Sequence, residues 1–595
     1  MKPIIRREEY PRPDFVRDVW QNLNGEWQFA FDPSDAGYRE GWQKPGRTLP
    51  LTINVPFCYQ SRMSGIGDET LKDIVWYRRT FTAGEAFAGK RVLLRFGAVD
   101  YRTQVYVNGS YVGEHAGGYS PFYFDVTDFL NGGENDLCLR VEDRPDREQP
   151  RGKQYWREGW MRCWYVPITG VWQTVYLEAA TETRIESLHV TPDIDTGSAK
   201  ICVRLNHAPG RAMTARLTIA YEDKPETAYR SLTVALTGKN TYVSVDMVDT
   251  ECVEGIQLWS PTTPVLYSLT AELFEDGQAG DCVSTYFGMR KAEVKDGYFL
   301  LNNRACYLRM VLDQGYWPDS LLTPPTAEAL KEDVEWTLKL GYNCARKHQK
   351  IEDPRYYYWA DRLGLMVWGE LPSAFEFSSA MVMNLANTMA DFIQRDYNHP
   401  SIIAWAPFNE SWGVTRIYDD LRMQSAVRML YHQCKALDPT RVVSSNDGWE
   451  QVETDILGLH DYTPDGESLA MHFADRDRLD KYAASRRVSS VKGFTPTRKE
   501  AFMLTEYGGI SISDGQEGTW GYHGKPKDEN EFFERFASVT NAIRAIPYCR
   551  GYCYTQLTDV RQEANGILNG YRKPKVDPER FRAINVSPQA EWQGI

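Results

Sequence analysis

Beyond about residue 296 the chain repeats one pattern: a short apolar run ends on a polar or charged residue, and most intervals to the next run carry helical spacing. The runs span residues 306–313, 343–348, 365–370, 402–410, 442–447, 456–462, 502–508 and 551–559. Short runs that are apolar throughout read as parallel strands buried on both faces, and such strands need long crossovers, usually helices. Residues 326–333 and 418–436 carry helical patterns of this kind. Eight units predict a (β/α)8 TIM barrel over residues 296–595. An open doubly wound sheet is the alternative, but no Gly-rich phosphate turn follows the first run.

A barrel locates chemistry at the C-terminal ends of its strands. Asp313, His348, Glu370, Asn409, Glu410, Asp447, Tyr462, Glu506 and Asp559 fall at or near those ends. Glu410, in Phe408-Asn409-Glu410-Ser411-Trp412, and Glu506, in Leu504-Thr505-Glu506-Tyr507-Gly508, each close an apolar run. Two facing carboxylates are what glycosidic-bond cleavage needs: one protonates the leaving oxygen and the other attacks the sugar carbon. A separation of about 5–5.5 Å predicts retention of configuration, whereas about 6.5–9.5 Å admits a water and predicts inversion.

Ahead of the barrel the pattern is antiparallel. Residues 1–183 hold short alternating strands such as Val75-Trp76-Tyr77-Arg78-Arg79-Thr80-Phe81, and Asn108-Gly109 marks a two-residue hairpin. A jelly-roll sandwich pairs that many short strands. Residues 184–295 repeat the alternation on a smaller scale, as in Lys200-Ile201-Cys202-Val203-Arg204-Leu205, and fit an immunoglobulin-like sandwich.

Composition narrows the partners. A net charge of −13 leaves no basic surplus for phosphates, so no nucleic-acid partner is expected. No run approaches the roughly 18 apolar residues of a membrane span. The 11 cysteines lack CxxC pairs and metal-ligand spacing, and residues 1–9 turn acidic before any apolar leader. A cytoplasmic protein with reduced thiols is therefore expected, with homo-oligomerisation left open. The 18 Trp and 35 Tyr suit stacking on sugar faces as well as burial in a large β-rich protein.

Around the two glutamates the sequence resembles glycoside hydrolase family 2, which holds β-galactosidases, β-glucuronidases and β-mannosidases. Arg395-Asp396-Tyr397-Asn398-His399-Pro400-Ser401 followed by Asn409-Glu410 is similar to the acid/base signature, and Thr505-Glu506-Tyr507-Gly508 to the nucleophile strand. Leu23-Asn24-Gly25-Glu26-Trp27, Trp76-Tyr77-Arg78-Arg79 and Gly117-Gly118-Tyr119 resemble the sugar-binding domain, and Leu258-Trp259-Ser260-Pro261 the close of the immunoglobulin-like domain. The resemblance implies a retaining hydrolase acting on a glycoside or oligosaccharide, with Glu410 as acid/base and Glu506 as nucleophile. No cofactor is implied. The large β-galactosidases' magnesium and sodium loop has no counterpart, so no metal is expected.

The same resemblance implies that Asn409 bonds the sugar 2-hydroxyl, that His348 binds another hydroxyl, and that Tyr462 and Arg346 support the nucleophile. Asp313 is a candidate for the non-reducing-end hydroxyls. Trp412, Trp368 and Tyr554 are candidate stacking platforms, with core packing the alternative for each. Adjacent strand residues face opposite ways, so Asn409 and Glu410 need a bend or bulge to share a pocket.

The family's β-glucuronidases hold the sugar carboxylate with Asn-x-Lys. The corresponding stretch, Arg561-Gln562-Glu563-Ala564-Asn565-Gly566-Ile567, places Glu563 at the asparagine and Asn565 at the lysine. A glutamate there repels a uronate, so exo removal of a neutral sugar is expected: a β-galactoside first, an α-L-arabinofuranoside or β-galactofuranoside next. A non-catalytic carbohydrate-binding protein on this fold would need neither Glu410 nor Glu506.

Overall fold

A computed structural model describes residues 7–249, 255–486, 491–492, 496–512 and 518–587. The stretch read for a leader lies mostly outside them. The front of the chain folds as two facing antiparallel sheets. One orders its four strands Trp20–Asn22, Val175–Ala180, Arg91–Phe96, Phe122–Asp125. The other orders six: Leu51–Val55, Gly25–Phe31, Ile74–Thr82, Glu134–Glu142, Arg102–Val107, Ser110–Ala116. Alternation turns Trp27, Phe29, Val75, Leu94, Val105, Leu139 and Leu177 into the shared core. Asn108 and Gly109 take φ of 53° and 79°, the paired positive values of a tight hairpin turn. A second sandwich, three strands against four, begins at Ile185–Asp193 and buries Ile201, Leu217, Leu269 and Val283.

The third unit is a nearly closed parallel barrel. Its strands are β1 (Leu308–Asp313), β2 (Cys344–Lys347), β3 (Met366–Glu370), β4 (Ile402–Ala406), β5 (Val442–Val443), β6 (Ile456–His460), β7 (Ala501–Gly508) and β8 (Cys549–Thr555). They lie in that order, with β8 paired to β1 and the one unladdered seam between β5 and β6. Helices Ala327–Lys339 and Leu421–Leu437 begin where Thr326 and Asp420 cap them by accepting from backbone N–H groups. No described helix is long and apolar enough to cross a membrane.

Strand alternation decides which side chains reach the barrel mouth. Met310, Leu312, Cys344, Met366, Trp368, Ala404, Met503 and Cys553 fill the interior, and Ala292, Phe299 and Leu301 of a small antiparallel sheet join them. Val311, Leu459, Phe502, Leu504, Tyr507, Tyr552 and Tyr554 face the surrounding helices.

Three expectations are corrected by that parity. Trp368 points inward but is fully buried two residues below Glu370, so no sugar can stack on it. Tyr554 points outward against Phe536 and Phe581, and its neighbour Thr555 faces the pocket instead. Asp313 lies on the opposite face from Leu312, where its carboxylate accepts from Lys347 Nζ at 2.8 Å, and it does not line the pocket.

The Arg395–Ser401 signature fastens domains together rather than touching the site. Asn398 Nδ2 donates to Leu188 O at 2.7 Å, its Oδ1 accepts from Val190 N–H at 2.9 Å, and His399 Nδ1 lies 2.6 Å from Asp361 Oδ2. The Asn398 contacts tie the barrel to the immunoglobulin-like domain, and His399 is held within the barrel.

Candidate active site

Two backbone irregularities bring the glutamates into one pocket. Beyond β4, Asn409 forms a parallel bridge with Asp447, and Glu410 N–H donates to Asp447 O at 2.8 Å. Glu410 and Ser411 then take φ of 48° and 54°, left-handed values that cost a non-glycine residue energy. That turn is the bend required for consecutive residues to face one site. On β7, three residues run from Leu504 to Tyr507 while β8 advances two, from Tyr552 to Tyr554. This bulge rotates Glu506 inward between outward-facing Leu504 and Tyr507.

Arg346, fully buried at the end of β2, organises the floor. Its Nη1 donates to Glu506 Oε1 at 3.0 Å, its Nη2 to Asn409 Oδ1 at 2.7 Å and its Nε to Glu370 Oε2 at 2.7 Å; Asp447 lies 2.8 Å away. Asn409 Nδ2 is left without a protein partner among the described residues. Tyr462 OH donates to Glu506 Oε2 at 2.6 Å, and Tyr522 stacks on Tyr462 with centroids 3.7 Å apart. Burial alone would raise the Glu506 carboxyl, but His460, Arg346, His348 and the Tyr462 hydroxyl together hold it well below the ordinary carboxylate range.

His460 joins the two glutamates, and the sequence reading missed it. Its Nδ1 lies 2.7 Å from Glu410 Oε1 and 3.5 Å from Glu506 Oε2, and its Nε2 lies 3.1 Å from Asp447 Oδ2. Burial opposes its charge, yet Glu506, Asp447 and Glu410 raise it to about 10, so an imidazolium sits between carboxylates. Gly448, at φ 91°, makes room: a Cβ there would stand 2.4 Å from the His460 ring. The signal was available, because His460 shares inward parity with Tyr462 in the run 456–462. Glu410, His460 and Glu506 also form the one group of such side chains among the described residues close enough to share a metal ion. An ion held there would have to displace the His460 proton.

His348, 3.0 Å from Glu370 Oε1, and Trp412 line the same pocket. Burial lowers the His348 pKa, against the opposing pull of Glu370. Asn565 lies behind the wall: fully buried, it accepts from Gln556 Nε2 at 2.7 Å and donates to Glu563 Oε1 at 3.3 Å. Glu563 itself lines the pocket, and Tyr165 OH donates to its Oε2 at 2.5 Å. Lys153 and Cys163 of the jelly-roll domain, with Gln314, Tyr522 and Thr555, complete the lining. Nothing in the local sequence marks Lys153, Cys163 or Tyr165, since they meet the barrel only through domain docking.

The domain order and the paired carboxylates define a class. Residues 20–157 match glycosyl hydrolases family 2, sugar binding domain; residues 183–290 match glycosyl hydrolases family 2; residues 292–509 match its TIM barrel domain. The chain belongs to glycoside hydrolase family 2, whose members cleave O-glycosidic bonds with retention.

Individual relatives divide by sugar. The chain is 25% identical to a β-galactosidase of Thermoanaerobacter pseudethanolicus over 66% of its length and 52% of that protein. It is 25% identical to a β-glucuronidase of Paenibacillus borealis over 73% of its length and 74% of that protein. The chain spans about half the length of the first of these curated relatives. A solved β-glucuronidase of Bifidobacterium dentium in complex with coumarin-3-O-glucuronide shares the fold at 22% identity and a TM-score of 0.77, over 98% of this chain and 99% of that one.

Proposed function

We propose that the chain is a retaining, exo-acting glycosidase that removes a terminal neutral sugar, with a β-galactoside the first substrate. The observation that carries this reading is that one oxygen of Glu410 and one of Glu506 lie within 4.8 Å of each other in a single pocket. That spacing suits attack and protonation at one anomeric centre and is closer to the carboxyl separation of retaining than of inverting glycosidases.

In the first step a Glu506 oxygen attacks the anomeric carbon as the bond to the leaving oxygen breaks, and Glu410 delivers a proton to that oxygen. The product alcohol departs and a glycosyl ester remains on Glu506. Water then gives a proton to Glu410 and its oxygen attacks the same carbon, expelling Glu506 as a carboxylate. Two inversions return the starting configuration. Arg346 and Tyr462 keep Glu506 ionised before attack, and Asn409 Nδ2 is the free donor for the sugar 2-hydroxyl. His460, against Glu410 Oε1, positions the acid and can exchange a proton with it.

The blind pocket, walled by the jelly-roll domain, suits a chain end rather than a chain interior. The Glu563 carboxylate in that wall supports a neutral sugar. A β-glucuronide is the competing reading, favoured by the nearby Lys153 cation and by the relatives' split. A panel of nitrophenyl galactoside, glucuronide, mannoside, arabinofuranoside and galactofuranoside separates them, with NMR of the first product reading its anomeric configuration. The expected result is fastest release from the galactoside with retention. Fastest release from the glucuronide overturns the neutral-sugar reading, and an inverted first product overturns the double displacement.

A further inference from the structure

The jelly-roll segment 151–165 is pinned to the barrel just before Lys153 and folded back on itself at Lys153. Arg151 and Gly152 both donate backbone N–H groups to Ser373 O, at 3.0 and 2.9 Å, and Tyr165 N–H donates to Lys153 O at 2.7 Å. Gly152 takes φ of 60°, and a Cβ there would stand 2.2 Å from Gln349 O, so only glycine permits this approach. The backbone thereby delivers the Lys153 side chain into the pocket of Glu410 and Glu506.

Lys153 is 6% exposed, and its ammonium lies 5.0 Å from the Trp412 ring centroid. Among the described residues it has no hydrogen-bond partner and no carboxylate within 4.0 Å. An ammonium carries three donors, and those the protein leaves unmade are open to whatever enters the pocket. Burial works against its charge, but Cys163, Glu563, Glu506 and Glu410 more than offset this and hold the proton on. Glu563, in the same pocket, offers the complementary chemistry, an acceptor fixed by Tyr165 and Asn565.

We propose that Lys153 is a specificity-determining residue supplied by the sugar-binding domain, donating to a hydroxyl oxygen of the bound sugar while Glu563 accepts from the sugar's hydroxyls. A donor and an acceptor on one pocket wall favour a neutral polyol face. A carboxylate would satisfy Lys153 but meet Glu563. The inference rests on the glycosidase reading above and not on the galactoside in particular.

The test uses the full chain, the nitrophenyl glycoside that wild type turns over fastest, and its monodeoxy analogues, each assayed with wild type, Lys153→Met and Lys153→Gln. A charged hydrogen bond lost to a neutral side chain predicts a fall in kcat/KM of about 10- to 100-fold on the parent sugar. One deoxy analogue, penalised in wild type, loses its penalty in Lys153→Met, because the donor it failed to engage is gone. Melting curves matching wild type confirm that the effect is local; if Lys153→Met does not fold, Lys153→Leu, which also lacks a donor, carries the same comparison, whereas Lys153→Gln keeps a donor and should keep part of the penalty. Equal deoxy penalties in variant and wild type overturn the proposal. So does a wild-type preference for a uronide that Lys153→Met abolishes, since Lys153 would then bind a carboxylate. A preference for another neutral sugar corrects the galactoside reading alone, and the deoxy series of that sugar decides the role of Lys153.

Discussion

The pocket has two walls of different character. On the barrel side, bonding capacity is nearly saturated: Arg346 meets Glu370, Asp447 and Glu506, and both ring nitrogens of His460 face carboxylates. On the jelly-roll side, Lys153 has no protein partner within reach among the described residues, and Trp164 Nε1 is buried without one. Saturation fixes the reacting carboxyl groups in one geometry, and the contacts from Arg346 and Tyr462 keep Glu506 ionised. Open capacity is left for whatever enters. The contrast sets the reacting groups at the strand ends apart from the open donors, Asn409 Nδ2 on the barrel and Lys153 on the docked domain, that can select the sugar.

The largest effect should come from cutting the saturated wall at its centre. Arg346→Met leaves Glu370, Asp447 and Glu506 buried without their shared cation, and breaking such a site costs about 3–5 kcal/mol. Urea denaturation should show that loss together with loss of turnover. A variant as stable as wild type would mean that the network is not what holds the strand ends.

A pH comparison sharpens the same point. Folded His460 keeps its proton to about 10, against roughly 6.5 when unfolded, so its stabilising contribution is complete below about 6.5 and fades as pH rises toward 10. Glu506 runs the other way: its depressed value stabilises above the unfolded value of about 4.3, and that contribution is lost as pH falls through the folded value. Both contributions are complete between about pH 4.3 and 6.5. The stability difference between wild type and His460→Asn should therefore shrink between about pH 6 and pH 10. Parallel stability curves for the two proteins would contradict it.

The smallest effect belongs to the docked wall. Tyr165→Phe removes the hydroxyl that orients Glu563, a loss of about 1–2 kcal/mol that should appear as a fall in kcat/KM of about 5- to 20-fold with little change in melting. A large drop in stability instead would make Tyr165 a structural strut between domains.

Legibility in the sequence followed the same division. The barrel strands and the two glutamates are readable because each strand is a local apolar run with its polar residue at one end. Tyr554 and Asp313 were misplaced because proximity to a strand end was weighed without the inward or outward parity that Met310, Leu312 and Cys553 define, and Trp368, which has that parity, because its depth below Glu370 was not weighed. Glu506 itself escapes simple parity, since a bulge rotates it inward. Lys153 and Tyr165 were invisible for another reason: Tyr165 and Glu563 stand 398 residues apart and meet only when two domains dock. His460 was within reach, one parity step from Tyr462.

The central claim is that Glu506 becomes covalently bonded to the sugar. Incubation with a 2-deoxy-2-fluoro glycosyl fluoride of the preferred sugar, which slows ester hydrolysis more than ester formation, followed by peptide mass spectrometry, tests it directly. The account predicts one fluoroglycosyl unit on the peptide carrying Glu506 and none on Glu506→Ala. A label on another residue, or inverted product from an enzyme that is never labelled, would contradict it.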